Sequence, residues 1–377
     1  MKQAVVVGGG IGGLAAALSL TREGFRCRIL ERNSSLGVGG TGLTLWPNAL
    51  RRLDRLGLLE KILSHASPLK AGEIYDGSNR LLSRVDLASI EEQSGLPLIC
   101  VRRTDLYSVL LSALGDVDIT TSATCTGYRP GTSGVSALLA DGGEIEADLL
   151  VAADGIRSKI RAQMLQQDPL TYVGWMTWRG VAELPSGTFP AGLYREFFGR
   201  GSRFGIFAIK EDLVYWYGTR NGPHDDRAPV DPAHKQEALN WFGGWPEPAR
   251  IVIEATKPGD LVRTGVFDTQ PLPRWCDGQV VLLGDAAHPM TPDLGQGACQ
   301  ALEDALSLGE CLQRSASVPA ALAAYEKLGG ERTGPLVARS RRVGRMRQWH
   351  HPLLAGFRNT LMSAIPSRLL LKLFNTR

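Results

Sequence analysis

Three widely separated groups of residues are of the types that grip a phosphorylated cofactor. They are Gly8-Gly9-Gly10-Ile11-Gly12-Gly13 near the start, Asp154-Gly155-Ile156-Arg157-Ser158 in mid-chain, and Gly284-Asp285 running into Pro292-Asp293-Leu294-Gly295-Gln296-Gly297. In the first group the Gly-x-Gly-x-x-Gly spacing gives each glycine a mechanical task. Gly8 makes a tight turn, Gly10 lets the backbone approach a pyrophosphate, and Gly13 lets a helix pack closely on a strand. The helix opening at Ile11 and Gly12 then offers unpaired N–H groups and a partial positive charge to phosphates. Glu31, followed by Arg32, falls where a carboxylate accepts from both hydroxyls of an adenosine ribose and repels a 2′-phosphate, which favours FAD or NAD over NADP. Asp285 separates those two: a carboxylate at a strand's end can accept from the ribityl hydroxyls of a flavin, and NAD has none there. Gly295-Gln296-Gly297-Ala298 opens a second helix, whose N-terminus suits the anionic reduced ring. Together the three groups point to FAD held along its length, and so to oxidoreductase chemistry.

The elements that must position these residues can be read from local pattern. Gln3 to Val7 is a short apolar, β-branched run, and the Ala/Leu-rich stretch after the glycines is helical and closed by Gly24. Arg26 to Leu30 forms the second strand of a βαβ unit of the size used for dinucleotides. Residues 103–114 read as a helix capped by Thr104, residues 117–124, 134–140 and 144–151 as strands, and 279–283 as a buried strand. Between about 170 and 265 the chain changes character, with most of the tryptophans and alternating stretches such as Phe204-Gly205-Ile206-Phe207 and Leu213-Val214-Tyr215-Trp216. That pattern predicts a sheet facing a ligand or a helix layer. Helices are expected over 297–312 and 319–331. Leu353, Phe357, Leu361, Ile365, Leu369 and Leu373 then recur every fourth residue, interrupted at Pro366, as an apolar stripe expected to pack on the core, with membrane-surface contact as the alternative.

The fold class expected is α/β. A Rossmann-like FAD-binding domain (1–70, 98–168 and 265–335) carries an inserted, mainly β substrate domain (71–97 and 169–264), and a basic amphipathic helical segment (336–377) follows. The 377 residues, 44% hydrophobic and 21% charged, suit two intimately joined domains of ordinary composition. No apolar run reaches the roughly 20 residues that span a bilayer. No signal-peptide pattern opens the chain, and the six cysteines form no CxxC pair, so reduced thiols and a cytoplasmic location are expected, with no metal site. From Arg332 onward there are ten Lys/Arg and no Asp/Glu, whereas the preceding residues carry 32 basic against 38 acidic. Without aromatic–basic interleaving this asymmetry predicts no nucleic-acid partner, and a solvated helix face on an acidic body is the simpler reading.

The order, spacing and flanks of Gly8–Gly13, Ala152-Ala153-Asp154-Gly155-Ile156-Arg157-Ser158 and Gly284-Asp285-Ala286-Ala287-His288-Pro289 resemble the single-component FAD-dependent aromatic hydroxylases, the p-hydroxybenzoate/salicylate hydroxylase group, over about residues 1 to 345. The resemblance implies that Arg103 and Asp285 contact the ribityl or phosphate region, that Thr44 and the backbone at Ala123 touch FAD, that the Asp154 segment serves FAD and NAD(P)H, and that Pro292 lies beside the isoalloxazine ring. Arg203, in Gly201-Ser202-Arg203, and Asp293 are similar in place to substrate-handling residues of the FAD-dependent urate hydroxylases.

That family implies reduction of FAD by NADH or NADPH, addition of O2, and hydroxylation of an aromatic or heteroaromatic small molecule through a flavin hydroperoxide. Asp293, directly or through a water, is the candidate base, and Arg203 the candidate holder of an anionic substrate. For Arg203 the simpler role is a sheet surface charge, and for Asp293 a helix cap. Trp175, Trp178, Phe207 and Trp216 are candidates for the substrate pocket, with core packing equally open for Trp175 and Trp178. His288 is expected to order its loop by hydrogen bonding. The alternatives are an epoxidase of a lipid, isoprenoid or quinone-like substrate and, from another class, a dinucleotide-binding sensor without turnover. Peripheral membrane contact through the C-terminal segment is the less favoured reading, and a monomeric or homodimeric state stays open.

Overall fold

The structure, a computed structural model, describes residues 1–37, 41–132, 134–225 and 227–366. Two sheets organise it. The first has six strands, in the order Cys276–Asp277, Val280–Leu282, Leu149–Ala152, Gln3–Val7, Arg26–Leu30, Asp118–Thr120, all parallel except the first pair. Its central strands are apolar along their length because both faces are covered. Helices Ile11–Arg22 and Gly297–Arg314 pack together on it through small residues. A Cβ on Gly12 would lie 2.9 Å from Leu283, and one on Gly309 would overlap the Ser19 hydroxyl.

The second sheet has seven strands, in the order Leu261–Asp268, Thr171–Glu183, Leu213–Asn221, Ser202–Lys210, Leu193–Phe198, Ala71–Asp76, Leu81–Asp86. Its two faces differ, as the two-residue period of a strand requires. One face, with Met176, Trp178, Phe204, Ile206, Val214 and Trp216, forms a second core with helices Ala233–Phe242 and Pro248–Ala255. The other carries Thr177, Arg179, Arg203, Phe207, Tyr215, Tyr217 and Thr219 toward the first sheet's domain. The 170–265 region therefore faces both a helix layer and a cavity.

Several boundaries differ from the sequence reading. Cys125–Pro130 is an additional strand, and the helix Arg103–Ala113 is preceded by Arg102 rather than capped by Thr104. The helix expected over 319–331 runs from Val318 to Arg347 through Pro335. Tertiary contact overrides the local breakers here. Bare Gly329 admits the Trp275 ring, and Thr333, Leu336, Val337, Ser340, Gly344 and Arg347 bury one continuous face. The apolar stripe packs on the core only in part: Ile365 packs against it and Leu361 is half-buried. On helix Pro352–Ala364 the inner face belongs to Ala355, Arg358 and Met362, while Leu353 and Phe357 face outward. Leu369 and Leu373 lie outside the described residues. Among the described residues no helix is long and apolar enough to cross a membrane, and no cluster of His, Cys, Asp and Glu could hold a metal ion.

Candidate active site

The three chemistry-bearing segments meet because three parallel strands end in register. Val7 pairs with Ala152 and with Leu30, and Ala152 pairs with Leu282. The residue beyond each strand then bonds to its neighbour's last carbonyl: Gly8 N to Leu30 O at 2.8 Å, Ala153 N to Val7 O at 2.8 Å, Leu283 N to Ala152 O at 2.9 Å. Gly8, Glu31, Ala153-Asp154 and Gly284-Asp285 thus leave the carboxyl edge of one sheet, where open α/β sheets bind their ligands. Gly8 has φ +103°, and a side chain there would overlap the Ala153 carbonyl. A Cβ on Gly13 would overlap the Gly8 carbonyl oxygen, whereas Gly10 and Gly155 border open space.

The residues around that space fit FAD. Neither helix Ile11–Arg22 nor helix Gly297–Arg314 has a side-chain cap or an acidic residue in its first turn, so both N-termini keep free donors. Glu31 accepts Gly9 N at 2.8 Å on Oε2 and both Asn33 nitrogens on Oε1, leaving lone-pair capacity for a ribose hydroxyl. Ala123 N bonds to the Glu31 carbonyl at 2.9 Å, and Arg32 is exposed beside it. Buried Gln296 has an Nε2 donor without a partner, and Thr44 Oγ1 donates to Gly295 O at 3.3 Å. Pro292, Gly295, Gln296, Gly297 and Ala298 line the cavity beside Thr44.

Asp154 Oδ2 accepts from Lys159 N at 2.8 Å and Oδ1 has no partner; burial raises its pKa against those helix N–H groups. Asp285 reaches the open cleft near Gly297, with protein on its other sides. That surround pushes its carboxyl above the usual range, against His288, Arg103, Arg161 and Arg179. Arg103 is held below its ordinary value by burial and by Arg179, an effect Asp285 opposes. Buried Arg161 ties the segments together: Nη2 donates to Ile156 O at 2.8 Å and Nη1 to the carbonyls of Asp285 and Ala286, each at 3.3 Å. His288 is buried and sits 2.6 Å from Asp304 Oδ2, which also accepts Gly284 N at 2.9 Å, so it orders the loop. Asp285→Asn should weaken FAD binding about ten- to hundredfold through loss of a charge-assisted bond, measurable by thermal shift with and without FAD.

A cavity of about 320 Å³ runs from Asp285 and the Gly297 helix across the second sheet. One wall is charged. Arg203 Nη2 forms a buried ion pair with Asp293 Oδ1, and Arg203 Nη1 lies 3.2 Å from Glu196 Oε1. Tyr217 OH donates to Glu196 at 2.5 Å, and Arg347 Nη1 donates to the Asp293 carbonyl at 3.1 Å and lies 3.9 Å from Glu196 Oε2. Burial works against the Arg203 charge, but Asp293, Tyr217 and Glu196 more than offset it and hold the guanidinium above its ordinary value. Glu196 sits low despite burial, because Arg347 and Arg203 face it. Two acids and two guanidiniums balance. Asp293 Oδ2 has no hydrogen bond and lies against Gly344, where a Cβ would overlap it. The other end of the cavity is apolar, with Ile74, Val85, Leu87, Leu98 and Phe207.

The structure brings Arg203 and Asp293 together as partners, so neither is a free surface charge. Of the expected pocket aromatics, Phe207 lines the cavity. Trp178 and Trp216 do not: their strand parity puts them in the second core, where Trp216 stacks on Phe204 and donates to Thr256 at 2.7 Å. Trp175 is buried beside Gly344, outside the cavity lining. Sequence reasoning missed Arg161, Arg179, Glu196, Tyr217, Thr219 and Arg347. The alternation Tyr215, Tyr217, Thr219 against Val214, Trp216, Gly218 was the available signal for the cavity face.

Residues 1–186 and 259–337 match the family described as FAD binding domain. The chain is 37% identical to aurachin C monooxygenase/isomerase of Stigmatella aurantiaca, over 96% of this chain and 94% of that protein. It is 33% identical to 2-heptyl-3-hydroxy-4(1H)-quinolone synthase of Pseudomonas aeruginosa, over 96% and 94%. The structure of Klebsiella pneumoniae HpxO complexed with FAD and uric acid superimposes with a TM-score of 0.91 at 27% identity, covering 99% of this chain and 95% of that one.

Proposed function

The chain belongs to the FAD-dependent monooxygenases of the aromatic hydroxylase family, and from that premise we propose that it oxygenates an oxo- or hydroxy-substituted nitrogen heteroaromatic ring bearing an apolar substituent, of the 4-quinolone kind, at the expense of NADH or NADPH and O2. The observation that carries this reading is the two-ended cavity, with a buried, charge-balanced wall facing one part of a ligand and an apolar arm facing another. The quinolone relative, whose name carries a heptyl chain, supports it. Enzyme relatives of this likeness set aside the sensor alternative.

Bound FAD supplies the redox chemistry, namely hydride acceptance and activation of dioxygen for transfer of one oxygen atom. Glu31, Arg103, Asp154, Asp285 and the two helix N-termini would hold it. Asp293 accepts the acidic ring proton, directly or through a water, which makes the ring carbon nucleophilic. Arg203 and Arg347 hold the resulting anion by charge, and Tyr217 and Glu196 keep Arg203 in place. Ile74, Val85, Leu87, Leu98 and Phe207 take the apolar substituent and keep water from the reacting atoms.

The test is substrate-stimulated NAD(P)H oxidation across 2-alkyl-4-quinolones of decreasing chain length, uric acid and simple phenols, with product mass checked for one added oxygen. The alkylquinolones should stimulate turnover, and KM should rise about three- to fourfold for each methylene removed, the equivalent of about 0.8 kcal/mol of buried CH2. Equal stimulation by uric acid, with no chain-length dependence, would refute the apolar-arm assignment. Turnover with an alkene alone would replace hydroxylation by epoxidation.

A further inference from the structure

Helix Pro352–Ala364 is anchored on one side and bare on the other. Arg358, almost fully buried, donates from Nη1 to Arg347 O at 2.8 Å and from Nη2 to Gly199 O at 2.9 Å, and stacks 4.8 Å from the Phe198 ring centroid. Ala355 and Met362 complete that inner face. The opposite face exposes Leu353 at 77%, Phe357 at 60% and Leu354 at 45%, one row at i, i+1 and i+4. The helix packs along strand Leu81–Asp86, whose Leu81 is itself 49% exposed. Isolated exposed leucines need no explanation, but four large apolar side chains on one helix and the strand it packs on are a surface that water disfavours.

We propose that this surface docks on an anionic phospholipid bilayer, with Leu353, Leu354 and Phe357 inserted at the level of the headgroups. Charge is what selects this occupant over a second copy of the chain. Arg332, Arg341 and Arg347 are paired with acids of the body and Arg358 is buried, but Arg200, Arg342 and Arg345 are exposed around the helix's attachment, and the chain from Arg332 on has no Asp/Glu to offset them. Two such basic copies would repel one another, whereas a negative membrane surface attracts them. An apolar row on a helix without an acidic residue, with exposed cations on the neighbouring segments, suits a helix lying in the interface plane. Location gives the docking a use, and that part rests on the proposed function. Arg347 forms part of the charged cavity wall, and its carbonyl is the acceptor that Arg358 holds. Val85 and Leu87, on and beside the strand against which the helix packs, line the apolar arm. A lipophilic ring compound dissolved in the bilayer would thus meet the enzyme on the side where its cavity is built.

The experiment is co-sedimentation of the full-length, FAD-loaded chain with vesicles of equal parts phosphatidylglycerol and phosphatidylcholine, and with pure phosphatidylcholine, in the absence of any ring substrate. Binding should favour the anionic vesicles by about tenfold or more and weaken with salt. The triple variant Leu353→Ser, Leu354→Ser, Phe357→Ser should bind about a hundredfold less while keeping its flavin absorbance. Leu81→Ser alone should give a smaller loss in the same direction. Wild-type chain left in the supernatant, or a triple variant that binds as well as wild type, overturns the proposal. So does sedimentation equilibrium showing a homodimer that the triple variant converts to monomer, since the row is then a subunit interface. No ring substrate enters these measurements, so their failure is separate from failure of the substrate assignment.

Discussion

Arg203→Met is expected to lower ring-substrate turnover by about 10²–10⁴-fold, the range a positioned proton acceptor contributes, while the chain keeps its flavin. Asp293 and Arg203 are both nearly inaccessible and are joined through Oδ1 and Nη2. Loss of one partner leaves an uncompensated buried charge, which costs about 3–5 kcal/mol of folding stability. The variant also lacks the guanidinium that orders Asp293 and holds the substrate's anion, so proton removal from the ring is no longer supported. The double variant Arg203→Met, Asp293→Leu separates stability from chemistry. It leaves Glu196 facing Arg347, so most of the lost stability should return, as replacement of a buried pair by apolar residues of similar volume is often neutral. Turnover should stay low. Denaturant titration and steady-state rates on the two variants check both halves; a double variant with wild-type turnover would remove Asp293 from the mechanism.

Gly13→Ala should give a chain that purifies without flavin, or not at all. A Cβ at Gly13 would overlap the Gly8 carbonyl oxygen and lie 3.4 Å from Val6 Cγ1, so helix Ile11–Arg22 would have to shift away from strand Gln3–Val7. The obstructing atom is backbone rather than the end of a flexible side chain. An effect at the upper end of the overpacking range, about 3 kcal/mol, is expected. The helix N-terminus that faces the phosphates moves with the helix, so FAD affinity should fall by about a hundredfold or more for a comparable energy. Gly10→Ala is the control, because nothing lies within 4 Å of a Cβ there and the chain should fold without strain. If Gly13→Ala bound FAD as well as wild type, the close packing at the loop would have no part in cofactor binding.

The cofactor side of the site is legible in the sequence because backbone geometry dictates residue type there. Gly8 has a positive φ, Gly13 has a carbonyl where its side chain would be, and the strand preceding each segment is a short buried run. The parallel register that joins them follows from the βαβ pattern. The substrate side is much less legible. Glu196, Arg203, Tyr217, Asp293 and Arg347 come from three strands, a turn and a helix, so no local spacing announces that they meet. The tryptophans misled because both faces of the second sheet carry aromatics, and only the alternation within Leu213–Asn221 tells the hydroxyl-bearing face from the apolar one. The Val318–Arg347 helix was read short because Gly329, Gly330 and Pro335 argue locally for a break, while the ring of Trp275 needs a glycine there. The outward turn of Leu353 and Phe357 has the opposite cause: a four-residue apolar period specifies a stripe but not the side of the helix on which the rest of the protein lies.

The most direct test is a single-turnover reaction of the NAD(P)H-reduced, FAD-loaded enzyme with isotopically labelled dioxygen and a 2-alkyl-4-quinolone. One labelled oxygen atom should appear in the ring product for each nicotinamide oxidised, in wild type and not in Arg203→Met. Label entering from water, or nicotinamide oxidation that yields only hydrogen peroxide whichever ring compound is supplied, would contradict the account.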